Sequence, residues 1–88
     1  MQLRKLTIVN RLGLHARAAA KLVTMCSRYA SEVALVVNGR RANARHFIAI
    51  LLLSASMGAQ VSVEANGPDE VEAITAVTRL INTGFGEN

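Results

Sequence analysis

The chain has 88 residues, of which 51% are hydrophobic and 18% are charged, with a formal net charge of +4. This composition excludes an intrinsically disordered chain and predicts one domain over residues 1–88. The longest apolar run, Phe47–Leu53, is far shorter than the ~20 residues that span a bilayer. Because Cys26 has no partner and the first residues lack the apolar stretch of a signal peptide, we expect a cytoplasmic protein.

The first elements are a strand and a helix. Leu6 and Ile8 alternate with polar residues, which predicts a short strand. After a loop, apolar residues recur at helical spacing and predict an amphipathic helix from Ala16 to about Tyr29. Its apolar stripe comprises Ala19, Leu22, Val23 and Cys26. Its solvent side comprises Arg17, Ala20, Lys21, Thr24 and Arg28.

A hairpin follows this helix. Val33, Leu35 and Val37 have the period of a strand, and the Asn38-Gly39 pair after them is a strong hairpin signal. The returning strand should cover 40–44. Its small residues Ala42 and Ala44 should face the core.

The second half begins with the apolar run Phe47–Leu53, which we interpret as a short helix stopped by Gly58. The last strand is predicted from the alternation of Val61, Val63 and Ala65. Asp69 and Glu72 have the spacing of a capping box and predict the start of a final helix, ended by Gly84. The predicted buried stripe of that helix is Val71, Ile74, Val77, Thr78 and Ile81.

The predicted order of elements is therefore β-α-β-β-α-β-α. Helices can cover only one face of so small a sheet, which gives an α+β fold. We expect an open-faced two-layer sandwich with a four-stranded, mostly antiparallel sheet and three helices on one face.

One candidate site lies where the first loop meets the first helix. His15 should occupy the N-cap or lie next to it, where backbone N–H groups and the helix dipole favour a phosphate. Arg17 could reach the same anion, and Gly13 would allow a tight turn. The spacing alone leaves open that His15 has no functional role and that Arg17 is only a solvated charge on the helix.

Two surface features suggest a partner. Part of the apolar set Phe47, Ile48 and Leu51 should stay exposed, unless a loop or a second copy of the chain covers it. A basic cluster raises the alternative of a small nucleic-acid-binding domain, although stacking aromatic residues are missing from it. The cluster comprises Arg40, Arg41 and Arg45. The two histidines and Cys26 lack metal-ligand spacing, so neither a metal nor a cofactor is expected.

The segment Gly13–Val23, which contains a His-x-Arg motif, resembles the active-site segment of HPr, the histidine-containing phosphocarrier of the bacterial phosphotransferase system. The resemblance spans essentially the whole chain, including the hairpin and the final helix. It implies that His15 accepts a phosphoryl group on Nδ1 from enzyme I, which draws it from phosphoenolpyruvate. The group would then pass to an enzyme IIA.

The resemblance also implies the roles of other residues. Arg17 would compensate charge, and the backbone of Ala16 and Arg17 would bind the phosphate. The implied docking surface is Ala20, Thr24, Phe47, Ile48 and Leu51. Such a protein would be a monomeric carrier in a relay rather than a stand-alone enzyme. A purely regulatory module, whose phosphorylation is read by partners without sugar transport, stays open.

The chain departs from the family pattern in two places. Ala18 replaces the usual proline after the arginine, which removes no functional group. His46 stands where many relatives carry a regulatory serine, so we predict no regulation by serine phosphorylation there. This departure and the final segment, 82–88, resemble the nitrogen-related branch, which serves a regulatory enzyme IIA in place of a sugar permease.

Overall fold

The computed structural model describes residues 1–87, which form a four-stranded sheet and three α-helices. The strands are β1 (Gln2–Thr7), β2 (Glu32–Val37), β3 (Arg40–Asn43) and β4 (Gln60–Asn66). The helices are α1 (Ala16–Cys26), α2 (Phe47–Leu52) and α3 (Glu70–Asn82), followed by a 3₁₀ turn at Gly84–Gly86. The predicted order of elements and the predicted α+β sandwich are confirmed.

The sheet has the order β1-β4-β2-β3, and every neighbouring pair is antiparallel. Ala65 of β4 pairs with Gln2 on one side and with Val33 on the other. Alternate residues of β2 and β4 point into one apolar layer, which the helices cover. The fully buried side chains of this core include Leu22, Leu35, Ile50, Val63, Ile74 and Phe85. The opposite face of the sheet carries no helix among residues 1–87.

The β2–β3 turn has the geometry that its sequence predicts. Asn38 and Gly39 have φ values of 51° and 77°, which are those of a tight hairpin turn that matches the twist of the strands. Ala42 and Ala44 are buried as expected. The strand ends at Asn43, one residue before the predicted boundary.

Helix α1 ends earlier than the periodicity predicts. The last helical residue is Cys26, and the predicted extension to Tyr29 is wrong. The N–H groups of Arg28 and Tyr29 bond to carbonyls three residues back, and the Ser27 hydroxyl donates to the Thr24 carbonyl. These bonds tighten the chain into a turn that satisfies the last carbonyls of the helix.

Helix α2 is present as predicted but does not extend to Gly58. It ends at Leu52, and Ser54 two residues later has a positive φ of 52° that redirects the backbone. Ile48 and Leu52 are exposed, whereas Phe47 and Leu51 are half-buried against the core. Part of the apolar run is therefore left on the surface, as expected.

The start of α3 corrects the predicted capping box. Asp69 is the N-cap residue, but its side chain makes no bond to the first turn of its own helix. Its carboxylate instead accepts from the N–H groups of Ala30 and Ser31, and Glu70 accepts from the N–H of Gly67. Val71, predicted to be buried, is 53% exposed. The helix ends before Gly84, whose φ is 64°, as predicted.

Across residues 1–87, no helix combines the length and the apolar character needed to cross a lipid bilayer.

Candidate functional site

His15 is the N-cap residue of α1. Its backbone is extended, with φ −74° and ψ 178°, and its side chain closes onto the helix that follows. The ring nitrogen Nδ1 accepts from the backbone N–H of Arg17 at 3.3 Å. The imidazole thus takes the place that a serine or aspartate oxygen usually holds at a helix start. The predicted position of His15 is confirmed.

The loop before His15 is held by close backbone contact with the segment that precedes β4. Gly13 has a φ of 62°, and a Cβ added there would lie 2.3 Å from the carbonyl oxygen of Ala55. The next residue, Leu14, donates its N–H to that oxygen at 2.8 Å and is itself buried. Only glycine fits here, both for the tight turn that the sequence predicts at Gly13 and for the close contact with the Ala55 carbonyl.

Glu87 contacts the other nitrogen of the imidazole. Its Oε2 lies 2.6 Å from Nε2 of His15, and its Oε1 accepts from Nδ2 of Asn10 at 3.0 Å. Asn10 is buried and also donates to the carbonyl of Gly13 at 2.9 Å. The side chains of His15 and Glu87 are 25% and 14% exposed. The ring is therefore held between a helix start and a carboxylate, with one edge open to solvent.

The segment that carries Glu87 is anchored in the core. Phe85 is fully buried, with a positive φ of 58°, between two glycines that also have positive φ. Lys21 donates from Nζ to the carbonyl of Phe85 at 2.7 Å. Lys21 thus ties the last described residues to α1, in addition to lying on its solvent side as predicted.

The two hydrogen bonds of the His15 ring indicate the tautomer with its proton on Nε2. Nδ1 accepts a bond from an N–H, so it carries a lone pair and no proton. Nε2 faces a carboxylate, so it carries the proton and donates. Burial raises the pKa of Glu87, but the hydrogen bonds from Asn10 and His15 and the charge of Lys21 outweigh it and lower the pKa below its ordinary value. The partner of Nε2 is consequently an anion.

Arg17 lies on the exposed side of this arrangement. Its side chain lines a shallow cleft together with Arg11, Leu12 and Glu87. The backbone N–H groups of the first turn of α1, including those of Ala16 and Arg17, lie at the positive end of the helix. An anion next to His15 would meet this end, and the cleft that Glu87 borders adds the basic side chains of Arg11 and Arg17.

The implied docking residues lie on two neighbouring helices. Ala20 and Thr24 line a groove on α1 whose far side is Leu80 of α3. Ile48 is 62% exposed on α2, which packs against α1. Three basic side chains border the groove: Arg17, Lys21 and Arg28.

The arginines considered for nucleic-acid binding are each bonded locally. Arg40 donates to the Leu52 carbonyl, and Arg41 pairs with Glu64 at 3.2 Å. Arg45 donates to the carbonyls of Tyr29 and Ser31. Nothing in these contacts favours the nucleic-acid alternative. In the part of the chain that the structure covers, His, Cys, Asp and Glu form no group of three that could hold a metal ion.

Glu87 and Asn10 are the site residues that the sequence analysis missed. The contact between His15 and Glu87 joins residues 72 positions apart, so local periodicity carries no information about it. The one available signal was Phe85 between two glycines after the final helix. A large apolar residue there indicates that the segment folds back onto the core.

Comparison with known proteins agrees with these observations. A family model described as the PTS HPr component phosphorylation site matches residues 3–83. The phosphocarrier protein HPr of Cupriavidus necator is 44% identical over 84 residues, covering 96% of this chain and 94% of that protein. The phosphocarrier protein NPr of Klebsiella oxytoca is 48% identical over 82 residues, covering 92% and 91%.

A solved structure has the same fold as this chain. The crystal structure of HPr from Thermoanaerobacter tengcongensis superposes with a TM-score of 0.96 at 38% identity, covering 100% of this chain and 99% of that one. Fold and site together define a small open-faced α+β sandwich with a histidine at the start of its first helix. The chain belongs to the HPr family of the phosphotransferase system.

Proposed function

We propose that this protein is a phosphocarrier of the phosphoenolpyruvate-dependent phosphotransferase system and that His15 is its phosphoryl acceptor. The observation that carries the proposal is the arrangement of the His15 ring. Nε2 is occupied by Glu87 at 2.6 Å, whereas Nδ1 holds a 3.3 Å bond that is long for an N–H donor. Nδ1 is therefore the nitrogen whose lone pair is more easily released to attack phosphorus.

The surroundings of Nδ1 suit a phosphoryl group. The group adds roughly −2 charge, which the N-terminus of an 11-residue helix and the Arg17 guanidinium would offset. The N–H groups of Ala16 and Arg17 would bind its oxygens. Because the site is partly open to solvent, the phosphate is not buried and can leave again, as a relay requires. Transfer then depends on positioning and on charge stabilisation shared with the partner protein.

The proposed partners are enzyme I as donor and an enzyme IIA as acceptor. The groove on α1, with Ala20 and Thr24, and the α2 residues Phe47, Ile48 and Leu51 would form the docking surface. This surface combines an apolar centre with the basic rim described above, which fits an acidic partner surface. We further propose that the protein acts as a monomeric, single-domain carrier in the cytoplasm, where the buried Cys26 thiol would stay reduced.

Regulation by serine phosphorylation at the start of α2 is not part of the proposal. His46 is the N-cap residue of that helix, and it offers no hydroxyl for a kinase. The acceptor branch, sugar-related or regulatory, is a separate question that the identity of the enzyme IIA decides.

The test is intact mass after incubation with phosphoenolpyruvate and enzyme I. Wild type should gain one phosphate that acid removes, since phosphohistidine is acid-labile and phosphoserine is not. His15→Ala should gain none while staying folded. His46→Ala is the matched control, because the chain has two histidines, and it should be phosphorylated like wild type. An acid-stable phosphate, or one retained in His15→Ala, would overturn the proposal.

A further inference from the structure

The contact between Glu87 and His15 has a chemical consequence for the phosphorylated protein. The neutral ring carries its proton on Nε2, so attack through Nδ1 leaves that proton in place. The product is a phosphorylated ring with a positive charge. We propose that Glu87 is a positioning residue that keeps this proton on Nε2 and thereby keeps the phosphoryl group transferable. The inference rests on the proposed function of His15.

The bond changes balance without any proton transfer. The Nδ1 lone pair forms a bond to phosphorus, the bond between phosphorus and its donor breaks, and that electron pair returns to the donor. In the second step the Nδ1–P bond breaks and its electrons return to Nδ1. If the ring still carries its Nε2 proton, the leaving group is neutral imidazole. If the ring has lost that proton, the leaving group is an imidazolate anion, which departs much more slowly.

The geometry places Glu87 where it can hold the proton. Its carboxylate is 2.6 Å from Nε2 and is only 14% exposed, so solvent screens the interaction weakly. Asn10 fixes the other carboxylate oxygen at 3.0 Å. The buried Phe85 and the bond from Lys21 to its carbonyl fix the backbone two residues earlier. The carboxylate is therefore held on the ring rather than free to rotate away.

The other charged groups around Glu87 are of the opposite sign. Arg11 and Arg17 line the cleft that Glu87 borders, and Lys21 lies close enough to lower the pKa of Glu87, so the other charged groups around this carboxylate are cations. The segment that packs against the loop, Ala55 and Ser56, contributes no charge. Among the described residues, Glu87 is the one carboxylate bonded to His15. Its removal should expose the ring to an entirely cationic neighbourhood.

The test follows phosphate loss from the phosphorylated protein as a function of pH. Phosphoramidate serves as a chemical donor, and all proteins carry His46→Gln so that His15 is the one histidine available. Glu87→Gln keeps the shape of the side chain and removes its charge. The matched control is Glu64→Gln, which removes a carboxylate paired with Arg41 on the open face of the sheet. Phosphate is followed by ³¹P NMR, and the ring tautomer by ¹⁵N NMR.

Phosphate loss slows at high pH as the ring loses its proton. In Glu87→Gln this decline should begin roughly one pH unit lower, so phosphate loss becomes about fivefold slower at the wild-type midpoint and approaches a roughly tenfold slowing above it. Glu64→Gln should follow wild type. Glu87→Asp, which keeps the charge, should restore part of the wild-type profile. The unphosphorylated Glu87→Gln ring should also show more of the Nδ1–H tautomer.

An unchanged pH profile in Glu87→Gln would overturn the inference. If Glu87 only stabilised the fold, Glu87→Gln would unfold at a lower urea concentration, but the pH profile of phosphate loss and the ring tautomer would stay those of wild type. That result would also overturn the inference. The proposed function fails in a different way: wild type would lose chemically added phosphate with the expected profile but take none from enzyme I.

Discussion

The Asp69 carboxylate accepts hydrogen bonds from both the backbone N–H and the hydroxyl of Ser31, at 2.8 Å and 2.5 Å. Ser31 precedes β2 and Asp69 precedes α3, so this contact joins the sheet to the start of the last helix. The Ser31 hydroxyl accepts in turn from the N–H of Asp69 at 3.2 Å. A carboxylate bonded in this way is stabilised in its ionised form.

Asp69→Asn should therefore lower the melting temperature, and the effect should depend on pH. The Ser31 hydroxyl and the Ala30 and Ser31 N–H groups lower the pKa of Asp69 below its ordinary 3.8. Its contribution to stability is present above that ordinary value and is lost as pH falls through the lowered pKa. Thermal unfolding at pH 7 and below pH 3 checks this, and the difference from wild type should shrink in acid. Glu72→Gln, which removes an exposed acid of the same helix, should have little effect at either pH.

The contact between Asp69 and Ser31 also explains why the predicted capping box does not form. The spacing of Asp69 and Glu72 indicates that Asp69 can bond to its own helix. It contains no information on competing donors such as the N–H of Ser31, which is 38 residues away. The donors of Ser31 and Ala30 capture the carboxylate because folding brings them to it. Val71 was misassigned because the buried face of α3 is centred on Ala73 and Val77 rather than on the predicted stripe, which leaves Val71 to one side of it.

The parts of the fold that were predictable depend on local rules. Asn38-Gly39 needs only its own backbone preferences, and the alternation in β2 and β4 needs only one buried face. The position of His15 followed from the change of period at Ala16. Glu87 could not be found this way, because its pairing with His15 exists only after the chain has closed.

Gly13→Ala should be strongly destabilising. The methyl group would meet the Ala55 carbonyl oxygen at 2.3 Å, and the positive φ adds strain, so we expect a loss of about 2–4 kcal/mol in the free energy of unfolding. Gly39→Ala is the matched control, since it also has a positive φ but no atom within 4 Å of the added Cβ. Its loss should be about 1 kcal/mol. Urea unfolding measures both, and equal losses would show that the Gly13 contact is not what restricts this position.

Arg17→Ala should slow phosphoryl uptake without abolishing it. The variant removes the guanidinium beside the site, while the N-terminus of α1 remains to offset the phosphate charge. Because Arg17 is exposed and partly screened by solvent, we expect a slowing of about tenfold. Single-turnover transfer from enzyme I at two salt concentrations measures the effect. Arg4→Ala, an exposed arginine of β1, is the control, and an Arg17→Ala rate equal to wild type would contradict the assigned role.

Ile48→Ala should weaken partner binding without changing stability. Ile48 is 62% exposed on α2, so truncation loses contact area with the partner and little core packing. We expect about fivefold weaker binding to enzyme I, which corresponds to ~1 kcal/mol. Leu3→Ala is the comparison, because Leu3 is 51% exposed on the open face of the sheet. Calorimetric titration of both variants tests the surface, and equal affinities would place the docking face elsewhere.

The central position of β4 has a consequence for how the protein could be assayed. Ala65 pairs with both β1 and β2, so the sheet is complete only when β1 and β4, which are far apart in the sequence, have come together. Leu14, in the loop before His15, bonds to Ala55, and the imidazole bonds to Glu87. A chain in which these segments have not come together lacks both contacts. The amount of phosphoryl group that His15 takes up would then measure the fraction of natively folded molecules. In a refolding sample, this uptake would return when the sheet forms rather than when the helices form.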